Sequence, residues 1–377
     1  MTLPLDSDIC VVYAHGNDWD GVPSRQRYLM DALSRYVPVI YLDGGWDRSW
    51  GVVTRHAVTE RVTVIRGLLR PMVSMRLRNF ELPSRVLGWW NTRWIRRKYR
   101  KIVFIDSENW LRPYRFIPHD CLIFDCIDPC FDRSAEVLRD FNQREEEVLS
   151  RAQLVFATAE SLVEQASRFN PRVHLLNNAC APEEYTDALV ACAPVPIWWP
   201  KAGGPIAAYL GSIDRRFDFE LSLQAAIDHP DVCFILAGNI LPEVSASAEP
   251  LRALPNVRLP GRISVEEGRY LLAHCNIGLI PFLPGEMNDA INPVKMYAYA
   301  FMGKAMAGSA VRELTLRPEI VDTGDTAERF SDAVGRALVR SQSVEHRNTL
   351  KAYAMQNTWE MRAETMWTII HAYLAQE

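Results

Sequence analysis

No stretch of this 377-residue chain approaches the ~18 consecutive apolar residues that carry a helix across a bilayer, so the helical membrane-spanning class is excluded. Paired CxxC motifs are also missing. The 8 cysteines are scattered, and the closest two, Cys126 and Cys130, lack the second pair that a structural zinc site needs, so reduced and mostly buried thiols are expected. The N-terminal run MTLPLDSDICVVYAHG has acids where a secretion signal carries basic residues, which points to a cytoplasmic chain. A net charge of -4 excludes general affinity for nucleic acid. What remains is a soluble globular composition, 48% hydrophobic and 23% charged. The length predicts roughly two domains of ~150 to 190 residues, each able to bury a core.

Short apolar runs alternate with helical patterns along the whole chain, the signature of parallel strands covered by helices. ICVVYAH, VPVIYLD, KIVFID, CLIFDC and LVFATA read as strands of a first half, with SRQRYLMDALSRY as a helix capped by Ser24. The stretch ACAPVPIWWPKAGGP, residues 191–205, is rich in proline, glycine and alanine and reads as the linker. After it the pattern restarts with PIAAYLG, VCFILAG, NVRLPG and IGLIPF. The expected fold class is α/β, with two Rossmann-like, doubly wound domains facing each other across a cleft: residues 1–190, then 191–358. The amphipathic stretch 359–377 either crosses back to the first domain or caps its own.

Ligands in such sheets bind beyond the carboxyl ends of the strands. Three second-half loops fall there: LGSIDRRFD with Gly211, Ser212 and Arg215; LAGN with Gly238; and PFLPGEMNDAINPVKMYAY. Glycine lets backbone approach a ligand, while a helix start with free amides, reinforced by cations, suits phosphate. Lys295 stands at such a start, after Asn292 and Pro293, on an apolar helix with Tyr297, Tyr299 and Phe301. An ammonium in that setting needs an anion, because burying it unpaired costs several kcal/mol, of order ~3 or more. Lys295, Arg215, Asn292 and Tyr297 are therefore placed at one phosphate-binding cleft; Arg216 reads as an ordinary surface arginine. In the first half, His15 and Gly16 end the first strand, with Arg25 and Arg27 at the following helix, and these are assigned to the opposite wall of the cleft, the side left for a second substrate, an acceptor.

Between Arg66 and Lys101 the basic residues Arg66, Arg70, Arg76, Arg78, Arg85, Arg93, Arg96, Arg97, Lys98, Arg100 and Lys101 face one acid, Glu81. Trp89, Trp90 and Trp94 are interspersed with them. A basic, aromatic stretch of this kind settles at an anionic headgroup layer, and a peripheral location at the inner membrane face is expected.

The order of motifs resembles the GT-B glycosyltransferases, particularly bacterial enzymes similar to teichuronic-acid and xanthan glucuronosyl transferases. NVRLPGRISVEEGRYLLAHCNIGLIPF and INPVKMYAYAFMGKAMAGS look like their nucleotide-binding blocks, and LIFDCIDPCFD followed by REEEVLSRAQLVFATAESLVEQ follows their first-half pattern. The resemblance implies that Lys295 and Arg215 hold the diphosphate of a nucleotide sugar, UDP-linked in the leading reading, and that the backbone at Arg262 and Ile263 recognises the base. Many relatives carry two glutamates where this chain has Ala290 and Ala298, which removes support for a retaining mechanism.

An inverting transfer needs a base for the acceptor hydroxyl. Asp128 matches the family's acidic residue and is chosen, with Glu108 in the SENW loop as reserve; Asp125 sits within the strand's apolar alternation. Fixed cations on the leaving diphosphate make a metal or other cofactor unnecessary, so the DWD triplet at Asp18 to Asp20 is not read as a metal motif. The leading expectation is transfer of a hexosyl or glucuronosyl group to a lipid-linked or polysaccharide acceptor. Two alternatives stay open: a nucleotide-sugar epimerase of the same architecture, which would convert its donor without acceptor, and a non-catalytic protein that has kept the fold.

Overall fold

The apolar runs form two largely parallel sheets in the computed structural model of the chain, which describes residues 6, 8–15, 18–21, 23–43, 54–66, 90, 92–106, 113–115, 117–128, 135–201 and 203–376. The chain divides into two units, Met1–Asn177 with Trp359–Glu377, and Asn178–Thr358.

In the first unit the strands are β1 (Ile9–His15), β2 (Val39–Asp43), β3 (Thr54–Ala57), β4 (Val62–Arg66), β5 (Lys101–Asp106), β6 (Cys121–Cys126), β7 (Leu154–Ala157) and β8 (Val173–Leu175). They lie in the order β3-β4-β2-β1-β5-β6-β7-β8, parallel except for the β3–β4 pair. β1, β5 and β6 are apolar throughout most of their length because helices cover both faces, as parallel sheets require. Helix α1 (Arg25–Leu33) follows β1. Ser24 stands at its N-cap position but its side chain makes no capping bond. α2 (Ala135–Arg151) and α3 (Glu160–Ala166) follow β6 and β7. The C-terminal helix Trp359–Leu374 belongs to this unit: Trp359 stacks on Tyr28 with ring centroids 6.0 Å apart, and Arg362 donates to the Asn177 carbonyl at 3.1 Å.

The second unit is a six-stranded parallel sheet, β9 (Ile206–Leu210), β10 (Cys233–Ala237), β11 (Val257–Gly261), β12 (Ile277–Ile280), β13 (Ala305–Ser309) and β14 (Val321–Gly324), ordered β11-β10-β9-β12-β13-β14. Its helices include α4 (Phe219–Asp228), α5 (Val265–His274), α6 (Val294–Phe301), α7 (Ala327–Arg340) and α8 (Val344–Met355). α5 starts on a full capping box, Ser264 with Glu267.

Strand order reverses between β9 and β12, the position where doubly wound sheets open a ligand crevice. There the ladder is short, with pairs only at Ile277↔Ala207 and Gly278↔Ala208. Tyr299 of α6 completes it: its hydroxyl donates to the Ala208 carbonyl at 3.0 Å and accepts from the Leu210 amide at 3.2 Å. A Cβ on Gly278 would come within 2.4 Å of that ring, so this strand position must be glycine.

The division between units falls at 177/178, not at the expected 190/191. The segment after Asn178 packs within the second unit: Cys180 bridges Thr358, Tyr185 lies against Phe301, Glu184 pairs with Arg269, and Trp198 donates to Glu267. The proline-rich run is anchored by its tryptophans and is not a free linker.

Candidate nucleotide-sugar site

In the second unit the loops after β9, β10 and β11 are held together by backbone bonds. The Gly211 amide donates to Ala237 at 3.0 Å, Gly238 to Gly261 at 2.8 Å, and Ile213 to Asn239 at 2.9 Å. Gly238 lies so close to the β9 loop that a Cβ there would stand 1.8 Å from the Gly211 carbonyl oxygen. No rotamer change relieves a clash with backbone, so Gly238→Ala should destabilise the unit by about 2 kcal/mol or more. An unchanged urea midpoint for that variant would contradict the close approach.

Lys295, in the first turn of α6, reaches over this floor. Its Nζ would lie 3.0 Å from a Cβ placed on Gly211. The ammonium sits 3.9 Å from the Tyr209 ring centroid and 5.0 Å from that of Phe282. Among the described residues no carboxylate lies within ion-pair distance of it. Burial and, secondarily, the Arg216 charge push it down to about 7, with Asp214 opposing them. α6 carries no side-chain cap over its first amides.

The neighbouring arginines differ. Arg216 clamps Asp214 with both Nε (2.9 Å) and Nη2 (2.5 Å). Burial pushes the Asp214 carboxyl up, but its bonds to Arg216 and the Lys295 charge together hold it below the ordinary value. Arg215 makes no ion pair among the described residues. The expected free amides at the start of α4 are not there: Asp218 accepts from the Glu220 and Leu221 amides, each at 3.0 Å. Ser212 is exposed, and its carbonyl accepts from the Tyr209 hydroxyl at 2.7 Å. Arg262 is exposed and Ile263 half-buried, both just past β11.

Asn292 and Tyr297 are bonded to each other beside the start of α6. Asn292 is 1% exposed; its Oδ1 accepts from the Asn178 amide (2.9 Å) and the Tyr297 hydroxyl (3.0 Å), while its Nδ2 donates to Glu313 (2.7 Å). Glu313 also pairs with Arg317 at 3.2 Å. Their polar atoms belong to a buried network.

In the first unit, Asp125 is 1% exposed and accepts from the Tyr13 hydroxyl and from Arg25 Nη2, each at 3.0 Å. Arg25, expected on the acceptor side, is therefore half of a buried ion pair, and it also donates to the Asn177 carbonyl at 3.2 Å. Asp128 is exposed just past β6. Arg27 lies 5.9 Å over the Trp19 ring. His15 ends the β1 backbone with its side chain outside the described residues, where Gly16 and Glu108 also lie. Sequence reasoning missed Glu145 of α2, a buried acid that burial pushes up to about 7 and that accepts from Cys126 Sγ at 3.8 Å. It also missed Tyr209 and Phe282, whose apolar periodicity marks them only as core.

Asp18 and Asp20 of the DWD triplet both face Arg66, which also donates to Asp43 at 3.2 Å. Among the described residues no acid, cysteine or histidine cluster has metal-binding geometry. Of the basic segment, residues 67–89 and 91 lie outside the described residues. In the rest, Trp90 is 59% exposed with Arg93 stacked on it at 3.6 Å, and Arg55 stacks on Trp94 at 4.7 Å. Among the described residues no helix is long and apolar enough to cross a membrane.

No family model matches the chain. A teichuronic acid biosynthesis glycosyltransferase of Bacillus subtilis (strain 168), TuaH, is 24% identical over 203 residues, 50% of this chain and 50% of that protein; the match thus spans about half the length of this curated relative. Among solved structures, sucrose-phosphate synthase from Thermosynechococcus elongatus is similar with a TM-score of 0.73 at 17% identity, covering 98% of this chain and 100% of its own. An α,α-trehalose 6-phosphate synthase from Burkholderia multivorans gives 0.68 at 11% identity, with 100% of each chain covered. HepE of Anabaena, solved with UDP and glucose, gives 0.64 at 11%, covering 96% and 99%. The fold is the α/β GT-B fold, two Rossmann-like units, as the motif order implied.

Proposed function

We propose that the chain is a glycosyltransferase that takes a sugar from a nucleoside-diphosphate donor, with uridine as the favoured nucleoside, and passes it to a hydroxyl of a lipid-linked or polysaccharide acceptor. The observation that carries this reading is the Lys295 ammonium, held over the Gly211 backbone at the strand-order reversal with no carboxylate in ion-pair distance among the described residues. Full-length fold similarity to sucrose-phosphate synthase and to HepE, solved with UDP and glucose, and the named relative support it.

Lys295 and Arg215 bind the diphosphate and stabilise the charge that builds on it as the anomeric C–O bond breaks. Arg216 is spent on Asp214 and instead keeps the β9 loop in shape. The backbone at Arg262 and Ile263 meets the base. Asp128 accepts the proton of the attacking hydroxyl, giving inversion at the anomeric carbon. Fixed cations do the work a metal would do, so activity should survive EDTA.

A thermal-shift screen of sugar nucleotides tests the donor: a ligand at 100 times its Kd adds about 2.7 kcal/mol to the folded state, so a UDP-sugar should raise the melting temperature. No shift with any nucleotide would overturn the reading. The stacked Arg93/Trp90 and Arg55/Trp94 pairs support membrane-surface docking, and flotation with anionic but not neutral liposomes is the expected result.

A further inference from the structure

Lys295 is seated in an unusual way. Two ring faces and a glycine backbone surround its ammonium, where a salt bridge would be the common means of holding a half-buried lysine. A carboxylate in that place would neutralise the cation and repel an incoming anion; aromatic faces stabilise a cation without carrying charge. Tyr209 is fixed by its own bond to the Ser212 carbonyl, and Phe282 by a backbone bridge to Phe217, so both rings are anchored independently of the lysine.

We propose that Tyr209 and Phe282 are positioning residues that hold the Lys295 ammonium in an aromatic notch over Gly211, with no described carboxylate in ion-pair distance, so that a sugar nucleotide binds there with uptake of a proton. This rests on Lys295 meeting the diphosphate. Two charged groups act on the ammonium, Arg216 disfavouring and Asp214 favouring its charged form, both from the β9 loop. α6 itself contains no acid. The Tyr209 phenol is pushed up by burial and stays neutral. With the lysine lowered to about 7, the free protein above that pH holds a largely neutral amine, and the diphosphate restores its proton. Below pH 6 the amine is already charged and nothing is taken up.

Calorimetry of UDP-glucose binding to the full chain, in buffers of differing ionisation enthalpy, tests this; the phosphates of a sugar nucleotide do not themselves titrate near neutrality. Uptake should approach one proton at pH 8 to 8.5 and vanish near pH 6. Phe282→Leu and Tyr209→Leu keep the site apolar but remove a ring, and each should move the midpoint of uptake to lower pH and weaken binding at pH 8 about three- to tenfold. Tyr209→Phe, which keeps the ring, should leave the midpoint in place. Binding without proton uptake, or with a midpoint indifferent to loss of either ring, overturns the inference alone. Failure of UDP-glucose, ADP-glucose and GDP-mannose all to bind overturns the donor reading and the inference with it.

Discussion

Lys295→Met should weaken sugar-nucleotide binding by roughly 30- to 100-fold, the loss of charge-assisted bonds of about 2 to 3 kcal/mol, while making the protein more stable at pH 6. The second half of that result follows from the direction of the lysine's shift. Its folded-state value, about 7, lies below the ordinary 10.5, so the fold disfavours the charged form. The penalty is fully present below pH 7 and is relieved as pH rises from 7 towards 10.5, where the unfolded chain binds more protons than the folded one. Methionine fills similar space without charge. The variant's advantage, of order ~1 kcal/mol or more at pH 6, should therefore shrink by pH 9. Urea unfolding at both pH values reads this out. A variant that loses stability at pH 6, or binds the nucleotide as well as the parent, would remove the lysine from the donor site.

The two aspartates of β6 and its loop should separate structure from chemistry. Asp128 is exposed just past the strand, so Asp128→Asn, which keeps its shape, should lower the melting temperature far less than Asp125→Ala while lowering transfer by about 100- to 10,000-fold, the usual contribution of a positioned general base. Asp125→Ala should do the reverse, costing about 3 to 5 kcal/mol of stability because Arg25 would remain buried after losing its carboxylate. Steady-state transfer assays with thermal unfolding of both variants make the comparison. Near-normal turnover in Asp128→Asn would place the base elsewhere.

Most of the architecture could be read from the chain because parallel strands buried on both faces appear as continuous apolar runs, and ICVVYAH, CLIFDC and PIAAYLG are all of this kind. Strands that break this rule escaped: β3 (Thr54–Ala57) is a polar edge strand, and β14 (Val321–Gly324) holds only a short apolar start. Lys295 stood out because a charge among apolar neighbours is informative by itself. Polar side chains whose partners lie far along the chain could not be paired. Asn292 is satisfied by Asn178, and Arg25 by Asp125, separations of 114 and 100 residues that no local pattern reveals. Asp218 was overlooked as the cap that takes up the amides of α4, since an aspartate before a helix does not announce which bonds it makes. The contribution of Tyr209 and Phe282 depends on ring orientation, which sequence does not encode.

The first unit is discontinuous: its sheet is complete by Asn177, yet Trp359–Leu374, which stacks on Tyr28 and bonds the Asn177 carbonyl, is made only after the whole of the second unit. On the ribosome, the second unit can therefore finish folding before the first has its closing helix. Until that helix has emerged, the face of α1 that Trp359 covers stays open to water and to chaperones. A stop codon at Trp359 would leave that face permanently uncovered, and would harm the unit whose sheet is encoded first.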